Sequence, residues 1–227
     1  PRTAGLPVLI PLAILGGTFD PVHYGHLRLA SDVAAALAPI DVRLVPGGDP
    51  PHRARPHASA VDRVAMLELA LTEFPQLSLD TREIERNGKS YTIDTLADLR
   101  TEVPARPLAL LVGADAFLGL PSWHRWEELF DLAHVVVIPR PAVALEGRLT
   151  EPLASQWHKR LASDEEVLRT ATAGSIYVQP VTAQPISSTA IRAALARGHA
   201  RSVEFAGLLP AAVMAYIESH HLYVSTR

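Results

Sequence analysis

The 227-residue chain contains no cysteine, which excludes disulfide bonds and metal sites built from thiolates. It has no excess of basic residues either, since lysine and arginine total 21 against 24 acidic residues, a net charge of −3. This balance disfavours a nucleic-acid partner. No run of the sequence approaches the ~18 apolar residues of a membrane span. We therefore expect a cytoplasmic protein that binds neither nucleic acid nor a membrane.

Apolar residues are abundant in the chain. They make up 48% of the chain, enough for a full hydrophobic core. We predict a single domain over residues 1–227, with a core over 1–182 and a helical C-terminal portion over 183–227. Residues 1–11 lack the continuous apolar stretch and the small-residue cleavage site of a secretory signal, so we expect none there.

Hydrophobic periodicity predicts the order of strands and helices. Strands are predicted at 12–15, 41–46, 77–80, 107–112, 134–140 and 175–181. Helices are predicted from about 26 to 37, from 59 or 62 to 74, from 92 onward, at 126–130, at 157–161, from 186 to about 198, and between 208 and 223. A strand–helix–strand start implies a parallel pair with a right-handed crossover. We therefore predict an α/β fold, a Rossmann-like doubly wound parallel sheet with a small helical C-terminal portion.

A glycine-rich turn joins the first predicted strand to the first predicted helix. The turn consists of Gly16, Gly17, Thr18 and Phe19, followed by the segment 20–26. Backbone N–H groups at such a turn, and at the start of the helix that follows, are suited to binding a phosphate.

Two histidines, His23 and His26, lie three residues apart where this turn enters the helix, so both rings can face the same phosphate. Imidazole N–H groups can stabilise charge that grows on a phosphoryl centre without acting as nucleophiles. The alternative is an ordinary turn with two surface histidines, and a lone His-x-x-His pair would favour that alternative.

A second polar cluster opens the helix predicted near residue 186. Three hydroxyls at Ser187, Ser188 and Thr189 can bond phosphate oxygens while the first amides of the helix point at them. Arg192, in the first turn, can reach the same oxygens. Helix capping alone explains any one of the three hydroxyls, because serine and threonine are common caps.

Polar residues also follow the carboxyl ends of two predicted strands, the edge where open parallel sheets bind ligands. His52 and Arg53 follow the second strand and would supply cationic donors for a phosphate, although an ordinary proline-rich loop is the alternative. Gly113 and Asp115 follow the strand at 107–112. The carboxylate of Asp115 could accept hydrogen bonds from sugar hydroxyls or could cap a helix.

The two polar segments together resemble a known family. GGTFDPVHYGH at 16–26 resembles the His-x-Gly-His signature of the nucleotidylyltransferase superfamily, in the wording of the bacterial nicotinate-mononucleotide adenylyltransferases. ISSTAIR at 186–192 matches the second signature of that family. The strings PPHR at 50–53 and SYTIDTL at 90–96 are similar to two further family motifs.

The resemblance implies transfer of the adenylyl group of ATP to nicotinate mononucleotide, with Mg²⁺ arriving on ATP rather than in a protein cage. It implies catalytic roles for His23, His26 and Arg192. The implied ATP-binding residues are Gly16, Gly17, Thr18, Phe19, Gly113, Asp115, Ile186, Ser187, Ser188 and Thr189. The implied residues for the pyridine nucleotide are His52, Arg53, Thr92, Ile93, Trp123, His124 and Arg140.

Thr92 and Trp123 each have a structural alternative. Thr92 is a candidate N-cap of its helix, and the resemblance places it and the adjoining amides at the pyridine carboxyl group. Trp123 could be a staple onto the following helix, whereas the resemblance makes it a flat face for the pyridinium ring. No function is assigned to 142–175.

Other functions stay open on the sequence. The acceptor could be nicotinamide mononucleotide or another phosphorylated compound, and a protein that binds ATP without turnover would share many of the same residues. A homo-oligomer is compatible with everything in the sequence.

Overall fold

The computed structural model describes residues 9–48, 56–86, 88–139, 145–182, 184–197 and 207–224. The strands in these segments are Leu12–Gly17 (β1), Asp41–Pro46 (β2), Leu77–Leu79 (β3), Leu108–Gly113 (β4), His134–Ile138 (β5), Leu161–Ala162 (β6) and Ile176–Val178 (β7). They form one parallel sheet in the order β3-β2-β1-β4-β5-β7-β6, with helices between them along the chain. The predicted Rossmann-like α/β class is confirmed.

The helices of the described segments are Tyr24–Ala36 (α1), Ala60–Leu71 (α2), Arg82–Glu85 (α3), Thr92–Glu102 (α4), Ala114–Leu118 (α5), Leu129–Leu132 (α6), Leu153–Arg160 (α7), Val167–Thr170 (α8), Ser188–Ala196 (α9) and Ala211–Ser219 (α10). Short 3₁₀ turns occur at Leu120–Ser122, Trp126–Glu128 and Glu146–Arg148.

The chain divides into two compact units. Unit 1 contains the described residues of 1–15, 34–42 and 91–181. In it, β4 pairs in parallel with β1 and β5, and Gly113 at the end of β4 lies opposite Ile138 at the end of β5. Residues of β5 are buried throughout because neighbouring strands and helices cover them. The residues that follow β4 and β5 therefore lie at the same edge of the sheet.

The buried side chain of His134 in unit 1 has a hydrogen-bond partner for each ring nitrogen. His134 begins β5, with its Nε2 2.9 Å from the carbonyl oxygen of Ala171, while its Nδ1 accepts from the amide of Ser175 at 3.2 Å. Nε2 therefore carries the proton. Burial lowers the pKa of His134, so the ring is a neutral structural bridge rather than a catalytic group.

Unit 2 contains the described residues of 16–33, 43–90 and 182–227, and its helices include α1, α2, α9 and α10. Ser59 caps α2 by accepting the amide of Asp62 at 3.1 Å. The helix α10 packs against α2, and the hydroxyl of Tyr216 donates to Asp62 Oδ1 at 3.0 Å. Helix α10, which begins at Ala211, is thus anchored to α2, which begins 151 positions earlier at Ala60.

Some local predictions were wrong. Thr92 is the first residue of α4 and Tyr91 is the N-cap, because Tyr91 keeps extended backbone angles. Residues 82–85 form a short helix that is not among the predicted elements, and Asp80 beside it fixes the guanidinium of Arg82 with two bonds of 2.8 and 2.7 Å. The helix predicted at 126–130 divides into a 3₁₀ turn at Trp126–Glu128 and the short helix α6.

Candidate active site

The turn after β1 has a backbone that few sequences could adopt. A Cβ at Gly17 would lie 2.9 Å from the ring of Phe19, so a side chain is excluded there. Phe19 has φ of 49° and is buried, and the carbonyl oxygen of Thr18 accepts from Arg63 at 2.8 Å. A Cβ at Gly16 would meet no described atom within 4 Å. The turn is therefore held by Arg63 at Thr18, and no described atom fills the space beside Gly16.

The two predicted catalytic histidines stack on each other. The ring centroids of His23 and His26 are 3.7 Å apart at 20°, and the ring of Phe19 meets His26 edge-on at 5.0 Å. Among the described residues, Nδ1 of each histidine is buried without a hydrogen-bond partner. Burial lowers the pKa of His23 to about 4 and lowers the pKa of His26 well below its usual value. Both rings are therefore neutral donors at pH 7.

Gly25 makes this arrangement sterically possible. A Cβ at Gly25 would lie 2.8 Å from His23 Nδ1 and 3.2 Å from Ile186 Cβ. Any side chain would displace the His23 ring or separate the turn from the segment that precedes α9. No role was predicted for Gly25 from the sequence, although its place between the two histidines was the available signal.

A buried carboxylate lies under the turn. Asp20 is 4% exposed, and its oxygens accept from the amides of His57 and Ala58 at 2.8 and 3.0 Å and from the Tyr223 hydroxyl at 2.8 Å. Burial would raise the pKa of Asp20, but these hydrogen bonds hold it below its usual value. No function was predicted for these residues from the sequence, in which nothing local pairs Tyr223 with Asp20.

The start of α9 lies against the same turn. Ser188 Oγ donates to the carbonyl oxygen of Pro21 at 3.1 Å. One guanidinium nitrogen of Arg192 donates to the carbonyl oxygen of Asp20 at 2.6 Å, and the other lies 3.4 Å from Thr189 Oγ1. The structure therefore brings the His23–His26 pair and the ISSTAIR segment together through two backbone carbonyls.

The N-cap of α9 is Ser187, whose side chain makes no capping bond. The amide of Ile186 donates to Gln184 O at 2.8 Å, so the chain turns immediately before the helix. The first amides of any α-helix lack intrahelical acceptors. Ser187 and Thr189 are exposed at this helix start, and the Thr189 hydroxyl lies 3.4 Å from the Arg192 guanidinium.

In unit 1, the start of α4 presents another set of amides. The amides of Asp94 and Thr95 donate to the carbonyl oxygen of Tyr91 at 3.0 and 3.2 Å. Thr92 and Ile93 precede the first intrahelical bond, and Tyr91 supplies no side-chain cap. The side chain of Ile93 is buried, so its amide rather than its side chain is suited to a ligand.

Trp123 and His124 lie beside this helix start. The ring of His124 is exposed and its centroid is 4.4 Å from that of Tyr91. Trp123 ends a 3₁₀ turn, with its amide donating to Leu120 O at 2.9 Å, and its side chain is half-buried. Within the described segments no aromatic ring or cation stacks on Trp123.

Asp115 lies in the first turn of α5, directly after β4 and the N-cap residue Gly113. Its Oδ1 is 3.7 Å from a guanidinium nitrogen of Arg148, and both side chains are about half exposed. Such an exposed pair contributes little to stability. The Asp115 carboxylate is thus half exposed at the carboxyl end of β4.

Three predicted site residues, His52, Arg53 and Arg140, lie outside the described residues. Within the described part of the chain, no three histidine, aspartate or glutamate side chains are grouped as a metal site. The described helices are all too short or too polar to cross a membrane.

Comparisons with known proteins identify the family that the sequence motifs resemble. The cytidylyltransferase-like family model matches residues 14–194. The chain is 48% identical over 202 residues to a probable nicotinate-nucleotide adenylyltransferase of Halorhodospira halophila, covering 89% of this chain and 90% of that protein. It is 45% identical over 214 residues to the protein of the same name from Acidithiobacillus ferrooxidans, covering 94% and 96% of the two chains.

A solved structure has the same fold at low sequence identity. It is the nicotinic acid mononucleotide adenylyltransferase of Plasmodium falciparum complexed with NaAD, with a TM-score of 0.70 and 18% identity. The match covers 94% of this chain and 97% of that one.

Proposed function

The chain belongs to the nicotinate-nucleotide adenylyltransferase family of cytidylyltransferase-like proteins, and from this membership we infer that it transfers the adenylyl group of ATP to nicotinate mononucleotide. The products are nicotinate adenine dinucleotide and pyrophosphate. The reaction is a step of NAD biosynthesis.

The observation that carries this proposal is the meeting of two polar segments at one turn. Neutral imidazoles of His23 and His26 lie on one side, and Ser188 and Arg192 bond the carbonyl oxygens of residues 20 and 21 on the other. Imidazole N–H groups, hydroxyls, helix amides and one guanidinium are all donors. Such a set suits the oxygens of a triphosphate.

In the proposed reaction, a phosphate oxygen of nicotinate mononucleotide attacks the α-phosphorus of ATP. The bond from that phosphorus to the bridging oxygen of the β-phosphate breaks, and pyrophosphate leaves with the electron pair. No protein nucleophile is needed, so catalysis comes from positioning and charge stabilisation. We assign the α- and β-phosphates to His23 and His26. The leaving pyrophosphate is assigned to Ser187, Ser188, Thr189 and Arg192.

We propose that the nucleotide substrate is the magnesium complex of ATP. The described site offers donors rather than a carboxylate cage, and both Asp20 oxygens already accept from protein donors. This donor set fits a phosphate-bound, hydrated Mg²⁺ and no separate protein-bound ion. The ATP-binding assignments also include Gly16, Gly17, Thr18, Phe19, Ile186, Gly113 and Asp115.

The pyridine nucleotide is assigned to the start of α4, to Trp123 and His124, and to three residues outside the described part of the chain. The amides of Thr92 and Ile93 would bond the pyridine carboxylate, and Trp123 would stack on the pyridinium ring with His124 beside it. His52, Arg53 and Arg140 keep their proposed contacts with the same substrate.

A pyrophosphate-release assay with a panel of substrates tests this function. We expect turnover with ATP and nicotinate mononucleotide, and a product with the mass of nicotinate adenine dinucleotide. CTP as donor and phosphopantetheine as acceptor should give little release. A protein that only senses ATP would bind it in calorimetry and release no pyrophosphate with any acceptor, and that result would overturn the proposal.

Substitution of Trp123 separates stacking from a structural role. If the indole stacks on the pyridinium, Trp123→Ala should raise KM for nicotinate mononucleotide by roughly 2- to 30-fold, from a cation–π energy of about 0.5–2 kcal/mol. Trp123→Phe should lose less. KM for ATP should stay within about twofold of the parent.

Trp126 supplies the matched control for this experiment. It lies three positions away and is half-buried, with its ring edge-on to Phe130 at 6.3 Å. Trp126→Ala should leave KM for the mononucleotide unchanged. Equal effects of the two alanine variants, or unfolding of Trp123→Ala in a thermal melt, would favour the staple role of Trp123.

A further inference from the structure

Tyr223 closes the donor set of Asp20 from the C-terminal end of the chain. Its hydroxyl is 2.8 Å from Asp20 Oδ1, and the two residues are 203 positions apart. Burial and the Asp20 carboxylate raise the pKa of Tyr223, so the hydroxyl keeps its proton and is the donor. The contact is a neutral donor on a buried anion, one of the stronger kinds of hydrogen bond in proteins.

The chain bends sharply to make this contact. His221 and Tyr223 have φ of 50° and 61°, both in the left-handed region that non-glycine residues seldom adopt. Such backbone is retained where surrounding contacts determine it. Here the bend follows α10 and returns the chain to Asp20, which lies three residues before His23.

Arg192 faces the same aspartate from the other side. Its guanidinium donates to the carbonyl oxygen of Asp20 at 2.6 Å but stays 3.8 Å from Oδ2, beyond hydrogen-bond distance. Oδ2 accepts from the amide of His57 at 2.8 Å and has His57 Nδ1 at 3.3 Å, and Oδ1 accepts from the Ala58 amide and the Tyr223 hydroxyl. The carboxylate is therefore satisfied without a direct bond from Arg192.

We propose that Tyr223 is a positioning residue for Arg192. By donating to the Asp20 carboxylate, the tyrosine leaves the guanidinium on the backbone carbonyl, with its remaining donors free for the phosphates of ATP. Without the hydroxyl, Oδ1 loses one of its two donors, and the buried anion draws the Arg192 guanidinium, already an ion-pair neighbour of Oδ2 at 3.8 Å, into a direct hydrogen bond with the carboxylate. The inference rests on the proposed function, because it takes ATP as the anion that Arg192 binds.

Tyr223→Phe tests this role by removing only the hydroxyl. We expect KM for ATP to rise by about tenfold, with KM for nicotinate mononucleotide within about twofold of the parent. Tyr216→Phe is the matched control, since it removes another tyrosine–aspartate bond, the one of 3.0 Å to Asp62, from the same C-terminal part of the chain. It should change neither KM.

A double-variant cycle distinguishes positioning from a general loss of structure. In an Arg192→Lys background, Tyr223→Phe should raise KM for ATP by less than about twofold, because the planar fork that the tyrosine positions is already absent. A full tenfold effect in both backgrounds would overturn the proposal. So would equal increases of both KM values in Tyr223→Phe alone.

Calorimetric binding of a non-hydrolysable ATP analogue at 10 °C gives a second measurement. It keeps a destabilised variant folded and does not depend on turnover. Weaker binding to Tyr223→Phe than to Tyr216→Phe supports the inference even if the parent releases no pyrophosphate, a result that would defeat the proposed function alone. Unchanged analogue binding, or a Tyr223→Phe variant that is unfolded at 10 °C, would show that the tyrosine is structural.

Discussion

Replacing His26 with alanine is expected to lower kcat by ~10²–10³, the usual cost of removing one preorganised donor from a site of developing charge. Burial lowers the pKa of His26, so the ring donates an N–H as a neutral group. The ring is packed against His23 at 3.7 Å and edge-on against Phe19, which restricts its rotation. A donor fixed before the reaction needs no reorganisation as charge grows on the phosphoryl oxygens.

The same packing requires controls. His26→Ala leaves space beside Phe19 and His23, so the thermal midpoint must be compared with that of the parent. His26→Asn, which keeps an N–H donor of smaller size, should recover part of the rate. His220→Ala removes another histidine stacked on a ring, that of Tyr216 at 3.8 Å, and should leave kcat unchanged.

Measurement of kcat at saturating substrates decides the result. A His26→Ala rate within about threefold of the parent would contradict a role in the transition state. A rise in KM for ATP with unchanged kcat would instead place the ring in ground-state binding.

The sequence was sufficient for the elements whose residues repeat regularly. The strand predicted at 41–46 is β2 with the same bounds, because its apolar residues are bounded by a helix and by glycine. The predicted family, fold class and activity are confirmed by relatives that match most of the chain. Short elements such as α3, with four residues, escaped prediction because one helical turn contains no periodicity.

The supports of the site could not be predicted, because they join distant residues. Tyr223 and Asp20 are 203 positions apart, and Arg192 and Asp20 are 172 apart. Neither spacing leaves a local pattern. Gly25 is different, because its place between the two histidines is visible in the sequence, although the clash of a Cβ with His23 appears only once the ring is placed. The roles of individual side chains toward ATP and the pyridine nucleotide stay predictions, which the variants above test.

Nicotinate mononucleotide should be preferred over its amide by at least ~10²-fold in kcat/KM. The start of α4 offers two amides, of Thr92 and Ile93, that precede the first intrahelical bond. A carboxylate accepts from both and meets the positive end of the helix dipole. An amide can turn its oxygen to one donor, but its NH₂ then opposes the other.

The size of the preference follows from two contributions. Hydrogen bonds to a charged group contribute ~1.5–3 kcal/mol, and a buried donor left unpaired costs ~1–3 kcal/mol. Since ~1.4 kcal/mol corresponds to tenfold, their sum exceeds a factor of ~10². The segment 90–96 contains no lysine or arginine as a counter-ion, so within it the discrimination must come from backbone amides and Thr92.

Two substitutions at one position separate the amide of Thr92 from its hydroxyl. Thr92→Ala removes the hydroxyl and keeps the N–H, so most of the acid preference should remain. Thr92→Pro removes the N–H at the first helical position, where proline is tolerated, and Tyr91 already has the extended backbone that a following proline requires. The preference should then fall by about tenfold or more.

The measurement is kcat/KM for both mononucleotides at saturating ATP and Mg²⁺. Near-equal values in the parent would mean that this helix start does not read the carboxylate, and loss of the preference in Thr92→Ala would assign it to the hydroxyl.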